Sequence, residues 1–289
     1  MSVNESTYDY NASGAPEQTD RYRYDYNTDQ RPIRVYEGDT LIATYDYNSF
    51  GERIKKVVYA ESGNRVTYFL YEGNQLVAEI EATDETPTRE DYRQTIYLDH
   101  VPVAYLHGTE TYTVQSDHLG TPHRVTDSNQ QTVWAADYSP FGEAIITTER
   151  ITFKHRFPGQ YFDAETETHY NYFRDYDPAT GRYLTSDPIG LLAGPNTFAY
   201  VGANPLNYFD SLGLQAALQA QPQIRPQGIP SQHLPNQPNF TQPGQVPTAP
   251  AANDPSHRAN SITSGILRRI WSRAGPLGAL TLLLSLIHI

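Results

Sequence analysis

An all-β fold of stacked hairpins is what this sequence predicts, and three observations carry it. Tyr-Asp-Tyr-Asn recurs at residues 8–11, 24–27 and 45–48, at intervals of 16 and 21 residues. Between and after the repeats, segments such as 53–59 (RIKKVVY) and 75–80 (QLVAEI) alternate with the period of two that marks half-buried strands. Turn-forming clusters punctuate them at Asn48-Ser49-Phe50-Gly51, Glu61-Ser62-Gly63-Asn64 and Glu72-Gly73-Asn74. Each repeat is therefore about one hairpin. A hairpin cannot bury its apolar face alone, so such units must stack side by side into one sheet. Tyr suits such a sheet because it favours strands, pairs across them and tolerates a wet surface. Sheet packing, rather than ligand stacking, is the plain reading of these rings.

Composition divides the chain at residue 214. All 23 Tyr lie before residue 215. The stretch 215–289 holds five Arg, no Lys and one acid, Asp254, so the whole excess of acid behind the net charge of −12 sits in residues 1–214. An acidic body disfavours phosphate and argues against nucleic-acid binding there. With no Cys, a disulfide framework and thiolate metal sites are excluded. The first residues, MSVNESTYDYN, show neither the basic nor the apolar region of a signal peptide.

Residues 215–260 carry nine Pro, no Tyr and one Phe, the composition of an extended or disordered linker. A basic amphipathic helix is expected next, over Ser264 to Arg273, with Ile266, Leu267, Ile270 and Trp271 on one side. The apolar run from Leu277 to Ile289 is 13 residues long, well short of the about 20 that a bilayer span needs, so no membrane span is expected.

Six short landmarks follow in order through residues 115–214. They are Asp117-His118-Leu119-Gly120-Thr121-Pro122, Tyr138-Ser139-Pro140-Phe141-Gly142, and Phe157-Pro158-Gly159-Gln160-Tyr161. Then come Tyr176-Asp177-Pro178-Ala179-Thr180-Gly181-Arg182-Tyr183, Asp187-Pro188-Ile189-Gly190-Leu191, and Asp210-Ser211-Leu212-Gly213-Leu214. Together with the Tyr-Asp repeats they resemble the Rhs (YD-repeat) family, relatives of the C component of insecticidal Tc toxins. The resemblance implies a spiral β-sheet shell whose end is plugged by the Rhs repeat-associated core domain. It divides the chain into a YD-repeat segment at 1–114, the core at 115–214, the Pro/Gln-rich linker at 215–260 and the start of a variable effector region at 261–289. So few repeats cannot close a cavity around a protein cargo, so the chain is expected to be the C-terminal part of a longer shell or a remnant of one.

The chemistry rests on two carboxylates. Two Asp brought together can share one proton, leaving the ionised partner to activate water and the protonated one to polarise a carbonyl. Asp187 and Asp210 lie 23 residues apart with Gly190, Gly194-Pro195 and Asn204-Pro205 between them to fold the chain back. Taken alone, both are ordinary turn openers. The resemblance implies more: an aspartyl self-protease using Asp187, Asp210 and Arg174, cutting between Leu214 and Gln215, where the composition changes. It needs no cofactor and no metal. His118 and His123 flank a turn without a carboxylate at ligand spacing, and are expected to be structural.

Three positions depart from the family pattern. Ser211 replaces a usual Pro and is expected to loosen the turn that aims Asp210. Asp175 replaces an aromatic beside Arg174, where its charge is placed to neutralise the guanidinium. Glu167-Thr168 stands where Gly-Leu is common.

The resemblance further implies the chain's own C-terminal effector as cargo, with secretion-system components and an immunity protein as partners. A bacterial origin, type VI export and interbacterial competition belong to the same expectation, with a cytoplasmic stage before secretion. Two other readings stand beside it: a cell-surface protein whose repeats bind carbohydrate or a partner unprocessed, and an inactive remnant.

Overall fold

The computed structural model of the chain describes residues 9–83, 88, 91–214 and 217–218. The expected linker apart from residues 217–218, the basic helix, the start of the effector region and Gln215 lie outside them. Fourteen strands form one antiparallel sheet in which each strand pairs with its neighbours in sequence. They begin with β1 (Asp9–Tyr10), β2 (Pro16–Gln18), β3 (Tyr22–Tyr26), β4 (Pro32–Glu37), β5 (Thr40–Tyr47), β6 (Arg53–Val58) and β7 (Arg65–Glu72). They continue with β8 (Gln75–Thr83), β9 (Tyr92–Leu98), β10 (Val101–His107), β11 (Glu110–Ser116), β12 (Pro122–Thr126), β13 (Thr132–Tyr138) and β14 (Ala144–Glu149). The sheet passes without a break through residue 114, the repeat–core boundary expected from the sequence, and ends at Glu149.

The repeated Asn is the turn-former. Asn48 Oδ1 accepts the amides of Phe50 and Glu52, both at 3.0 Å, while the Asn48 amide donates to Glu52 O. Asn11, Asn27, Asp117 and Asp127 build the same loop. Its fourth residue needs a positive φ, which Gly supplies at 14, 51 and 120 and which Gln30 and Gln130 adopt at 59° and 63°. Next to the turn the register slips by one residue, at Asp25/Tyr26 and at Asp46/Tyr47.

The last Tyr of the motif secures the strand end. Tyr26 and Tyr47 each donate their hydroxyl at 2.9 Å to the first carbonyl of the preceding strand, at Pro16 and Pro32, and Tyr138, outside the repeats, does the same to Pro122. The hydroxyl thus ties neighbouring strands of the sheet, while the rings of Tyr47 and Tyr138 pack on Tyr170 and Phe157 of the chain that covers it.

After β14 the chain turns back across one face of the sheet. Phe153 packs on Trp134 and Tyr105, with ring centroids 5.0 Å away in each case. His155 Nε2 meets Thr95 Oγ1 at 2.7 Å, and Lys154 pairs with Glu81 at 2.5 Å. Tyr161 stands edge-on to Phe69, and Asp163 takes Arg53 at 2.5 Å and Lys56 at 2.7 Å. Tyr45 then donates to Glu165 at 3.0 Å, and Arg21 reaches Glu167 at 3.1 Å. Residues 153–167 therefore form a strap running from β13 back to the start of β3. That path seats a second sheet of β15 (Tyr161–Asp163), β16 (Thr168–Asn171), β17 (Arg174–Asp177) and β18 (Arg182–Tyr183) on the large one. A third pair, β19 (Tyr208–Phe209) and β20 (Ala217–Leu218), completes the described strands. No helix among the described residues is long and apolar enough to cross a membrane.

Candidate functional site

The β16–β17 hairpin places the site. Asn171 and Arg174 face each other across a two-residue turn in which Tyr172 takes a φ of 56°. Arg174 is buried, and its guanidinium joins five groups. Nη2 lies 2.7 Å from Asp187 Oδ2 and 3.5 Å from Asp210 Oδ2. Nη1 donates to Thr197 O at 2.9 Å, Nε donates to Gly213 O, and Cζ sits 3.5 Å over the Tyr183 ring. The three residues expected from the sequence to act together do meet, around one guanidinium nitrogen.

Each Asp reaches that point by the turn logic of the repeats. Asp187 Oδ1 accepts the Ile189 amide at 3.0 Å, and the Gly190 amide closes on Asp187 O at 2.9 Å. Asp210 Oδ1 accepts the amides of Leu212, Gly213 and Leu214 at 3.2, 2.8 and 3.1 Å. One oxygen of each carboxylate thus fixes its own loop, and the other is left to face Arg174. Burial pushes the Asp187 carboxyl above the usual carboxylate range. The Ile189 amide and Arg174 pull it back, while Asp210 adds to the rise. The Leu212 carbonyl also accepts the Phe173 amide at 3.1 Å, which ties the terminal loop to the hairpin turn.

The departures behave differently from expectation. Asp175 does not neutralise Arg174, because adjacent strand residues point to opposite faces. It pairs instead with Arg53 Nη2 at 2.9 Å. Burial lifts the Asp175 carboxyl to about 6 against the pull of Arg53. Ser211 does not leave Asp210 unaimed, since three amides on Oδ1 hold the loop without a proline ring. Glu167 has a φ of 60°, a conformation that explains a family preference for Gly there. Leu214 is held by Asp210 through its amide, and residues 217–218 pair back with β19.

His118 lies 3.1 Å from Leu206 O, and His123 is 3.7 Å from Asp117. They share no ligand, and no group of three metal-binding side chains occurs among the described residues. Sequence reasoning missed Tyr183 and Asn171. Asn171 Nδ2 donates to Tyr183 Oη at 2.8 Å, and Tyr183 donates to Asp210 Oδ2 at 2.9 Å. A Tyr among 23 and an Asn at a strand end carry no signal of their own; only the pairing of β16 with β17 and of β17 with β18 brings them in.

Comparison with known proteins bears on the fold and the family. The teneurin YD-shell family model matches residues 1–193. The chain belongs to the YD-shell family. This YD-shell chain is 31% identical over 224 residues to the double-stranded DNA deaminase toxin A of Burkholderia cenocepacia, covering 68% of this chain and 16% of the relative. It is 29% identical over 229 residues to the toxin protein Tse5 of Pseudomonas aeruginosa, covering 68% and 17%. Among solved structures, a TcdB2-TccC3-TEV crystal structure aligns with a TM-score of 0.60 at 23% identity, over 71% of this chain and 11% of that one. The YD-shell chain is thus an Rhs-type repeat protein that shares its fold with the Tc toxin structure, and it spans about a sixth of the length of these curated relatives.

Proposed function

We propose that this chain is the end and plug of an Rhs-type toxin shell that releases a C-terminal effector by cutting itself once, after Leu214. The observation that carries the reading is the single Arg174 nitrogen shared by Asp187 and Asp210, beside a loop in which Asp210 holds the Leu214 amide. Both carboxylates lie within 3.5 Å of that nitrogen, and like charges brought together favour one shared proton. The ionised carboxylate takes a proton from water, whose oxygen adds to the Leu214 carbonyl carbon, and the protonated carboxyl donates to the carbonyl oxygen. Collapse then breaks the C–N bond, with a proton returned to the Gln215 nitrogen. One water is consumed, and the products are a Leu214 carboxylate and a free Gln215 amine.

Two toxins among the relatives support the cargo role, which comes to this chain as part of the proposal. Type VI export, interbacterial competition and an immunity partner belong to the same reading. Intact-mass measurement at neutral pH tests it, with the parent chain beside Asp187→Asn and Asp210→Asn, and with upstream repeats restored. A fragment ending at Leu214 in the parent alone supports self-cleavage. An unbroken parent with the repeats present removes it and leaves the unprocessed binding module. Neutral pH matters because the Asp187-Pro188 bond is open to chemical scission in acid.

A further inference from the structure

Every group that touches the Asp210 carboxylate is a hydrogen-bond donor. Oδ1 takes the three amides of its own loop, and Oδ2 takes the Tyr183 hydroxyl at 2.9 Å, with Arg174 Nη2 at 3.5 Å. A second residue fixes which way the hydroxyl points. Asn171 Nδ2 donates both to Tyr183 Oη at 2.8 Å and to the Asp210 backbone oxygen at 2.9 Å. Turning that amide over would set its oxygen against the Asp210 carbonyl, acceptor on acceptor, so the nitrogen belongs there. With a lone pair of Oη engaged by Asn171, the tyrosine proton is delivered to Asp210 Oδ2.

Asp187 receives fewer donors. The Ile189 amide reaches Oδ1 at 3.0 Å and Arg174 Nη2 reaches Oδ2 at 2.7 Å. A carboxyl pair holding one proton keeps it on the member whose ionised form has less hydrogen bonding, because donors favour the charged state.

We propose that Tyr183 and Asn171 are positioning residues that assign the shared proton, keeping it on Asp187 and holding Asp210 as an acceptor-only carboxylate. The catalytic consequence rests on the self-cleavage reading above. Asp210 becomes the base that takes a proton from water and later gives it to the Gln215 nitrogen, and Asp187 the acid that protonates the Leu214 carbonyl oxygen. Burial of Asp187 acts in the same direction. The stacking of Arg174 on the Tyr183 ring keeps the hydroxyl and the guanidinium on one carboxylate oxygen.

The test is a pH titration of the full chain by NMR with the side-chain carboxyl carbons of Asp labelled, the two signals being assigned from Asp187→Asn and Asp210→Asn. In the parent, Asp187 is expected to be the member that carries the proton. Tyr183→Phe keeps the ring under Arg174 and removes one donor. It is expected to shift the shared proton from Asp187 toward Asp210 by about ten- to a hundredfold in their ratio, the size of a hydrogen bond to a charged group. Where the chain cleaves, the acid limb of the rate profile should move with it and the rate fall about tenfold or more. A proton carried by Asp210 in the parent overturns the assignment, as does an unmoved ratio in Tyr183→Phe. If that variant does not fold, the position of the proton in the parent decides. The expected position in a chain that never cleaves removes the cleavage reading while the proton assignment stands. Cleavage with the proton on Asp210 does the opposite.

Discussion

Arg174 and Asp175 are neighbours in sequence but serve separate ion groups on opposite faces of β17. Arg174 holds Asp187 at 2.7 Å, whereas Asp175 meets Arg53 of the large sheet at 2.9 Å. A strand turns successive side chains to opposite sides, so one dipeptide supplies both the candidate site and a tie between the two sheets. The Arg53 end of that tie has no exposed side-chain surface, lies between the Tyr45 and Tyr170 rings, and also takes Asp163 at 2.5 Å.

The first prediction concerns pH. Burial raises the Asp175 carboxyl from 3.8 to about 6 on folding. A raised carboxyl binds its proton more tightly in the folded chain, so its contribution is full below the unfolded value and lost as pH rises through the folded one. Asp175→Asn, which does not titrate, should therefore gain on the parent by up to about 3 kcal/mol between pH 4 and pH 7. Urea unfolding at both pH values measures this, and a constant difference between the two chains would count against it.

Asp163 is the central carboxylate of the buried network, reached by both Arg53 and Lys56. Removing one partner of a buried pair leaves an uncompensated charge. Asp163→Ala is expected to lower stability by about 3–5 kcal/mol, while a change at the exposed Arg21–Glu37 pair should cost less than about 1 kcal/mol. Similar losses at the two places would show that the strap is not held by this network.

Arg174→Lys keeps the charge and loses the planar fork. A lysine ammonium cannot serve Asp187, Thr197 O and Gly213 O in the fixed directions that the guanidinium uses. Self-cleavage, read as the rate of appearance of the Leu214 product, is expected to fall about a hundredfold, as for small misplacements of reacting groups. An unchanged rate would mean that Arg174 acts as a charge alone.

A Cβ at position 159 would collide with the Ser211 backbone, whereas one at Gly38 meets nothing within 4 Å, though both have a positive φ. Gly38→Ala should therefore cost only the about 1 kcal/mol of backbone strain. Gly159→Ala should add to that a displaced Asp210 loop, seen as a slower appearance of the Leu214 product. Equal behaviour of the two variants in both assays would show that the close approach at Ser211 does not position Asp210.

Much of the fold was legible because its information is local. The Tyr-Asp-Tyr-Asn repeats, the period of two and the Gly-containing turns each act within a few residues, and every strand of the large sheet pairs with its neighbour in sequence. Asp187 and Asp210 were legible as turn openers for the same reason. Their meeting with Arg174 was expected only from the family resemblance, since nothing between residues 187 and 210 states a distance.

What the sequence determined by itself is therefore the hairpin sheet, its turn chemistry and the acidic, tyrosine-rich character of the body. The strap across the sheet, the Arg53–Asp163–Asp175 network and the Asn171–Tyr183–Asp210 chain were decided only by tertiary structure. Their partners lie up to 146 residues apart, and no local rule relates them. The opposite duties of Arg174 and Asp175 show the division most directly: adjacency suggested that one would neutralise the other, and the pleat of β17, packed between two surfaces, kept them apart.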